Sequence, residues 1–292
     1  MTATGAWRRA PSRFRDRVPA VEAGRYELYV SYACPWAHRT IIARRLMGLE
    51  EAIGMSVVDP IRDERGWAFT GGEYVDEVNG FAFLSEAYDA TDPRYRGRVS
   101  TPVLWDREEG RIVNNESADI LRMLVTDFAP LAEHPVELYP EALAGEIDAL
   151  EDELYAGLNN AVYEAGFARS QAAYEEAARR VFATLDGLEA RLRRSRYLVG
   201  DRITEVDWRA FTTLVRFDAV YYGHFKCNVR RIVDYDALWG YTRDLYQQPG
   251  VAGTVRLGEI KAHYYRTHGS INPNGLVPIG PALDFSSPHG RG

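Results

Sequence analysis

Tyr26-Glu27-Leu28-Tyr29-Val30-Ser31, followed after two residues by Cys34-Pro35-Trp36-Ala37-His38-Arg39, decides how the N-terminal part of the chain folds. The first run alternates and is rich in β-formers, so it predicts a strand. Pro35 then suits the first turn of a helix, where its missing N–H has no intrahelical partner to lose. Ala37, Ile41, Ile42 and Leu46 recur at helical spacing, and Gly48 stands where such a helix stops. Working outward, Met55-Ser56-Val57-Val58 predicts a second strand. Pro102-Val103-Leu104-Trp105 and Arg111-Ile112-Val113 predict two more around a turn at 106–110. Residues 117–128 carry Ile120, Leu121, Leu124 and Val125 on one helical face. Strand, helix, strand, then strand, strand, helix is the order of a thioredoxin-like α/β domain. Residues 59–100 form an unusually long connection within it.

From about Tyr139 the pattern is helical only. Residues 141–160 and 174–193 are long amphipathic runs, and Ala177, Val181, Leu185, Leu188 and Leu192 make one stripe in the second. Thr204-Glu205-Val206-Asp207 predicts a capping box, with Thr204 as cap and the Asp207 carboxylate reaching back. Ala129-Pro130 and His134-Pro135 break helices between the two halves. The expected division is therefore 1–130, the thioredoxin-like domain, and 131–292, an all-α domain. Beyond Gly269 the chain is rich in Gly, Pro, Asn and Ser, and its last seven residues are expected to be mobile.

Composition excludes several classes. Hydrophobic residues make up 46% and charged residues 26%, which is globular. A net charge of −7 argues against a nucleic-acid partner. No stretch approaches the roughly 18 uninterrupted apolar residues of a membrane span. Arg8, Arg9, Arg13 and Arg15 precede no apolar core of the kind a secretory signal needs, so a cytoplasmic setting is expected. Two cysteines, Cys34 and Cys227, rule out a disulfide scaffold and a four-cysteine zinc site; no metal is expected.

Cys34 follows a strand and begins a helix. A thiol placed there faces the backbone N–H groups and positive dipole end of the first turn, which favour the thiolate. In Cys34-Pro35-Trp36-Ala37 the fourth position is alanine, where a dithiol oxidoreductase carries its resolving cysteine. Any redox cycle at Cys34 thus needs an external thiol. The plainer alternative is a buried structural thiol. Glu116 and Ser117, at a second strand-to-helix junction, offer a carboxylate for an ammonium and a helix N-terminus for a carboxylate, or else simply cap the helix. Thr101-Pro102 stands where a cis proline commonly leaves the preceding backbone free to pair with a peptide ligand.

These residues resemble the glutathionyl-hydroquinone reductases, also called Xi-class glutathione transferases, from about Arg25 to Pro281. The resemblance rests on Cys34-Pro35-Trp36-Ala37-His38-Arg39, Gly66-Trp67, Asn115-Glu116-Ser117, Arg216-Phe217-Asp218, Gly223-His224-Phe225-Lys226-Cys227-Asn228, the run 238–246 and His263-Tyr264-Tyr265, in order. It implies the glutathione transferase fold, with glutathione as co-substrate and glutathionyl-hydroquinones as substrates. It implies Cys34 as nucleophile, with glutathione held by Trp67, Arg98, the backbone of Thr101, Glu116 and Ser117. It implies Tyr163 and Tyr264 as contacts to the hydroquinone hydroxyls, and a homodimer assembled through the helical domain. Where the family usually has valine before the proline, this chain has Thr101. An omega-like thioltransferase would need the same Cys34 without the tyrosines, and a non-catalytic ligand-binding module would leave Cys34 unreactive.

Overall fold

β1 (Tyr26–Val30) is buried along its whole length because it is an inner strand. In the computed structural model, which describes residues 5–291, it pairs in parallel with β2 (Ile53–Val57) and antiparallel with β3 (Val103–Asp106), which pairs antiparallel with β4 (Arg111–Asn114). The strand order is β2-β1-β3-β4. The parallel β1–β2 pair requires a crossover, which is α1 (Pro35–Leu46). α1 ends at a left-handed Gly48, φ +62°, where a Cβ would come within 2.9 Å of Glu133.

α1 packs with α3 (Ser117–Val125). Tyr29, Val103, Trp105 and Ile112 from the sheet cluster instead with Trp67, Leu84, Ala87 and Tyr88 of the long connection. That connection is therefore not loose. It contains a short helix, α2 (Ser85–Thr91), and a turn closed by Asp76. The Asp76 carboxylate accepts from the backbone N–H groups of Val78, Asn79 and Phe81, and from the Tyr29 hydroxyl at 3.1 Å. A carboxylate so placed satisfies three loop donors at once and ties them to the sheet.

Residues 10–137 together with 253–263 make this first compact unit. The late segment supplies Thr254 to His38, Arg256 to the ring of Tyr32 and to Glu73, and His263 to Trp67. Among the described residues, the second unit comprises 5–9, 138–252 and 264–291. Its helices are α4 (Ala144–Leu154), α5 (Ala161–Gly166), α6 (Gln171–Leu192), α7 (Glu205–Arg216) and α8 (Asp236–Tyr246). A ninth, α9 (Leu257–Thr267), begins in the first unit and ends in this one. The predicted stripe of α6 is buried in full. The predicted box at Thr204 is present, with the Asp207 carboxylate accepting from the Thr204 N–H at 2.8 Å.

The tail departs from expectation. Nη2 of Arg291 donates to the carbonyls of Leu192, Ser195 and Arg196 at 2.7–3.0 Å, closing the end of α6. Gln247 donates to the carbonyls of Phe285 and Ser287. Leu192 is the last residue of the 22-residue α6, so the guanidinium meets its terminal carbonyl and the negative end of its dipole as well as two carbonyls just beyond, and the tail is docked. Gly292 lies outside the described residues. Among those described, no helix is long and apolar enough to cross a membrane.

Candidate active site

Cys34 is the N-cap of α1, with an extended backbone (φ −79°, ψ 120°) and Pro35 next to it. Its own N–H is turned back to the Ser31 carbonyl at 3.1 Å, which completes the tight turn out of β1. The thiol is 8% exposed, free of any disulfide, and donates to the Thr101 carbonyl at 3.5 Å. The Thr101–Pro102 peptide bond is cis.

Two basic residues followed Cys34 in sequence, and their directions differ. His38 is fully buried and pairs through Nε2 with the Thr254 hydroxyl at 2.8 Å. Arg39 lies over the Trp36 ring at 4.6 Å and brings Nη1 to 3.4 Å from the Ser117 hydroxyl. The guanidinium thus serves the N-terminus of α3, where Ser117 opens the helix and Glu116 caps it through Ala118 N–H. Glu116 also accepts from the Ser12 hydroxyl at 2.8 Å, so one carboxylate caps α3 and ties it to the N-terminal segment. Trp67 is buried and stacked on His263 at 5.0 Å and 13°, while Arg98 is exposed on the long connection. His263 Nδ1 is 2.6 Å from the Pro60 carbonyl; because a carbonyl only accepts, Nδ1 carries the proton. Spacing alone could not place His263 beside Trp67, since 196 positions of chain fold between Trp67 and that contact (263 − 67).

In the helical unit, the Tyr163 and Tyr264 hydroxyls are hydrogen-bonded to each other, and Tyr264 is also 3.0 Å from the Tyr221 hydroxyl. Tyr264 and Tyr221 are buried, whereas Tyr163 is half-buried and lies against Trp7 and Phe167. Burial, then the neighbouring Tyr163, pushes the Tyr264 phenol well above its ordinary range, so it is neutral. Tyr221 escaped the sequence reading. It sits in a five-residue π-turn, Phe217–Tyr221, which continues α7 with a changed period, so helical spacing could not aim it. Phe225 lies flat on Tyr221 at 5.5 Å, and Gly166 leaves room for it: a Cβ there would meet the ring at 2.2 Å.

Two titrating groups flank these rings. Cys227 is fully buried, and burial pushes its thiol up to about 12. One equivalent of an alkylating reagent is therefore expected in the native protein, on Cys34, with Cys227 labelled only after unfolding; peptide mass mapping checks this. His224 is buried with Nε2 3.1 Å from His268 Nδ1, and burial together with Lys226 lowers its pKa from 6.5 to about 4. Between those values the unfolded chain takes up a proton that the folded chain refuses, so stability falls as pH drops from about 6.5 to about 4. Denaturant melts across that window are expected to show the fall, and His224→Gln to flatten it.

A cysteine at this N-cap, a cis proline facing it and a capped second helix are the parts of a glutathione transferase. The glutathione S-transferase N-terminal domain model matches residues 33–127, and the C-terminal domain model matches residues 171–244. The chain is 48% identical to the glutathionyl-hydroquinone reductase YqjG of Escherichia coli, over 98% of this chain and 92% of that protein. Its structure matches the Xi-class transferase of Natrialba magadii with a TM-score of 0.93 at 51% identity, covering 95% of this chain and 88% of that one. It matches the glutathione-bound structure of E. coli YqjG with a TM-score of 0.91 at 47% identity, covering 99% and 98%. The chain belongs to the Xi-class glutathione transferases, the glutathionyl-hydroquinone reductase family.

Proposed function

We propose that this chain reduces S-glutathionyl-hydroquinones with glutathione, through a mixed disulfide on Cys34. The observation that carries the reading is a free cysteine at the N-cap of α1 with no second cysteine near it in sequence, in a chain half identical to a named reductase of this kind. The Cys34 thiolate attacks the glutathione sulfur of the conjugate. The S–S bond forms as the aromatic C–S bond breaks, and the ring carbon keeps the bonding pair and gains a proton through a keto tautomer of the ring, assisted by a tyrosine or water. Hydroquinone leaves. A second glutathione thiolate then attacks the Cys34–glutathione disulfide, releasing oxidised glutathione and restoring Cys34.

In this reading Trp67, Arg98, the Thr101 backbone, Glu116 and Ser117 hold the glutathionyl group, and Tyr163 with Tyr264 hold the hydroquinone hydroxyls. Neutral phenols suit the second task, because each can donate to or accept from a ring hydroxyl. The reading includes a reducing, cytoplasmic setting that keeps both thiols free, and a homodimer formed through the helical domain. The test is turnover of a glutathionyl-hydroquinone with glutathione, scored for hydroquinone and glutathione disulfide together. A chain that acts only on small glutathione mixed disulfides, leaving the aromatic thioether untouched, would be an omega-like thioltransferase instead. Sedimentation equilibrium tests the dimer.

A further inference from the structure

Thr101 is 3% exposed, and its buried hydroxyl oxygen has no hydrogen-bond partner among the described residues. A buried hydroxyl left unpaired destabilises a fold, and a valine of the same shape would avoid the cost. The neighbourhood explains what the hydroxyl is for. Thr101 is the residue whose carbonyl receives the Cys34 thiol, at 3.5 Å. That bond exists only while sulfur carries its proton. Once Cys34 ionises, a negative sulfur faces a carbonyl oxygen that can only accept, and the contact turns repulsive. The ionised sulfur needs donors instead. Pro35, the first residue of α1, has no N–H to give, which removes the nearest backbone donor of the helix. Thr101 carries a donor on the same residue as the carbonyl, and a threonine side chain reaches a new staggered position by one rotation about χ1.

We propose that the Thr101 hydroxyl is a catalytic group of this chain: it donates a hydrogen bond to the Cys34 thiolate, replacing the bond that the thiol makes to the Thr101 carbonyl. The proposal rests on Cys34 being the nucleophile and adds a residue to its activation. The step moves no electrons; the thiol proton leaves to solvent and the hydroxyl proton stays on threonine. The hydroxyl is idle in the resting thiol form and engaged in the reactive form, so its resting cost becomes part of what drives ionisation.

The test uses the full chain and iodoacetamide, and so does not depend on reductase turnover. In Thr101→Val, alkylation of Cys34 at neutral pH is expected to slow about tenfold, with the two rates converging as pH rises and every thiol ionises. Thr101→Ser, which keeps the hydroxyl, is expected to restore the rate. Thr101→Val is also expected to melt at a higher temperature than the parent, because its methyl needs no partner. Equal alkylation of parent and valine variant across the pH range would overturn the proposal while leaving Cys34 as nucleophile intact. A valine variant that melts lower would overturn it too, by showing that the hydroxyl is already satisfied in the resting fold. Failure of the parent to react at Cys34 would instead remove the mechanism beneath both.

Discussion

Cys34→Ala is expected to lower kcat on a glutathionyl-hydroquinone by at least about 10⁴-fold, with glutathione disulfide no longer appearing. The size follows from what is removed. Residual positioning can still bind the conjugate, but no other thiol among the described residues is fit to replace Cys34: Cys227 is buried and held protonated far above neutral pH. Cys34→Ser is expected to be nearly as inactive, because a hydroxyl at an N-cap remains a poor nucleophile toward sulfur without a general base. Glutathione affinity in both variants is expected to stay within a few-fold of the parent, since the proposed contacts at Glu116 and Ser117 are untouched. Calorimetric titration with glutathione, beside single-turnover assays, separates the two quantities. Turnover persisting in Cys34→Ala would end the mixed-disulfide mechanism.

The largest stability effect is expected at Asp207. Its carboxylate is fully buried and accepts from the backbone N–H groups of Leu198 and Thr204, the Thr204 hydroxyl and the Tyr241 hydroxyl, at 2.8–3.1 Å. Asp207→Ala leaves four buried donors without their acceptor and a void where the carboxylate was, at an expected cost of roughly 3–5 kcal/mol. Thr204→Ala removes one donor and one cap, and is expected to cost nearer 1 kcal/mol. Denaturant unfolding of the three proteins gives the comparison directly. A midpoint for Asp207→Ala close to the parent's would show that this carboxylate does not hold the start of α7.

The capping role of Asp207 and the N-cap placement of Cys34 were legible in the sequence for one reason: both are set by neighbours within a few residues. A strand pattern, a proline at the first helical position and an alanine where a second thiol would stand are local facts. So is a threonine followed three residues later by a carboxylate. The donors to Asp207 from Leu198 and Tyr241 lie outside that four-residue pattern and were invisible. The same limit hid His263 behind Trp67 and the Tyr29–Asp76 tie that holds the long connection against the sheet. Tyr221 was hidden differently, by a π-turn that breaks the period on which helical faces are read. Composition misled only at the tail, where glycine and proline suggested freedom and one arginine, Arg291, supplies the anchorage.

The segment 253–263 has a practical consequence for anyone dividing this gene. A stop codon after Glu137 would yield the whole sheet with α1, α2 and α3, yet His38, Tyr32 and Trp67 would each lose the partner that Thr254, Arg256 and His263 provide. Such a fragment exposes a fully buried histidine and an indole to water, which makes it a poor candidate for separate expression. Recombinant versions of the sheet-containing unit are better designed by splicing those eleven late residues back on through a linker.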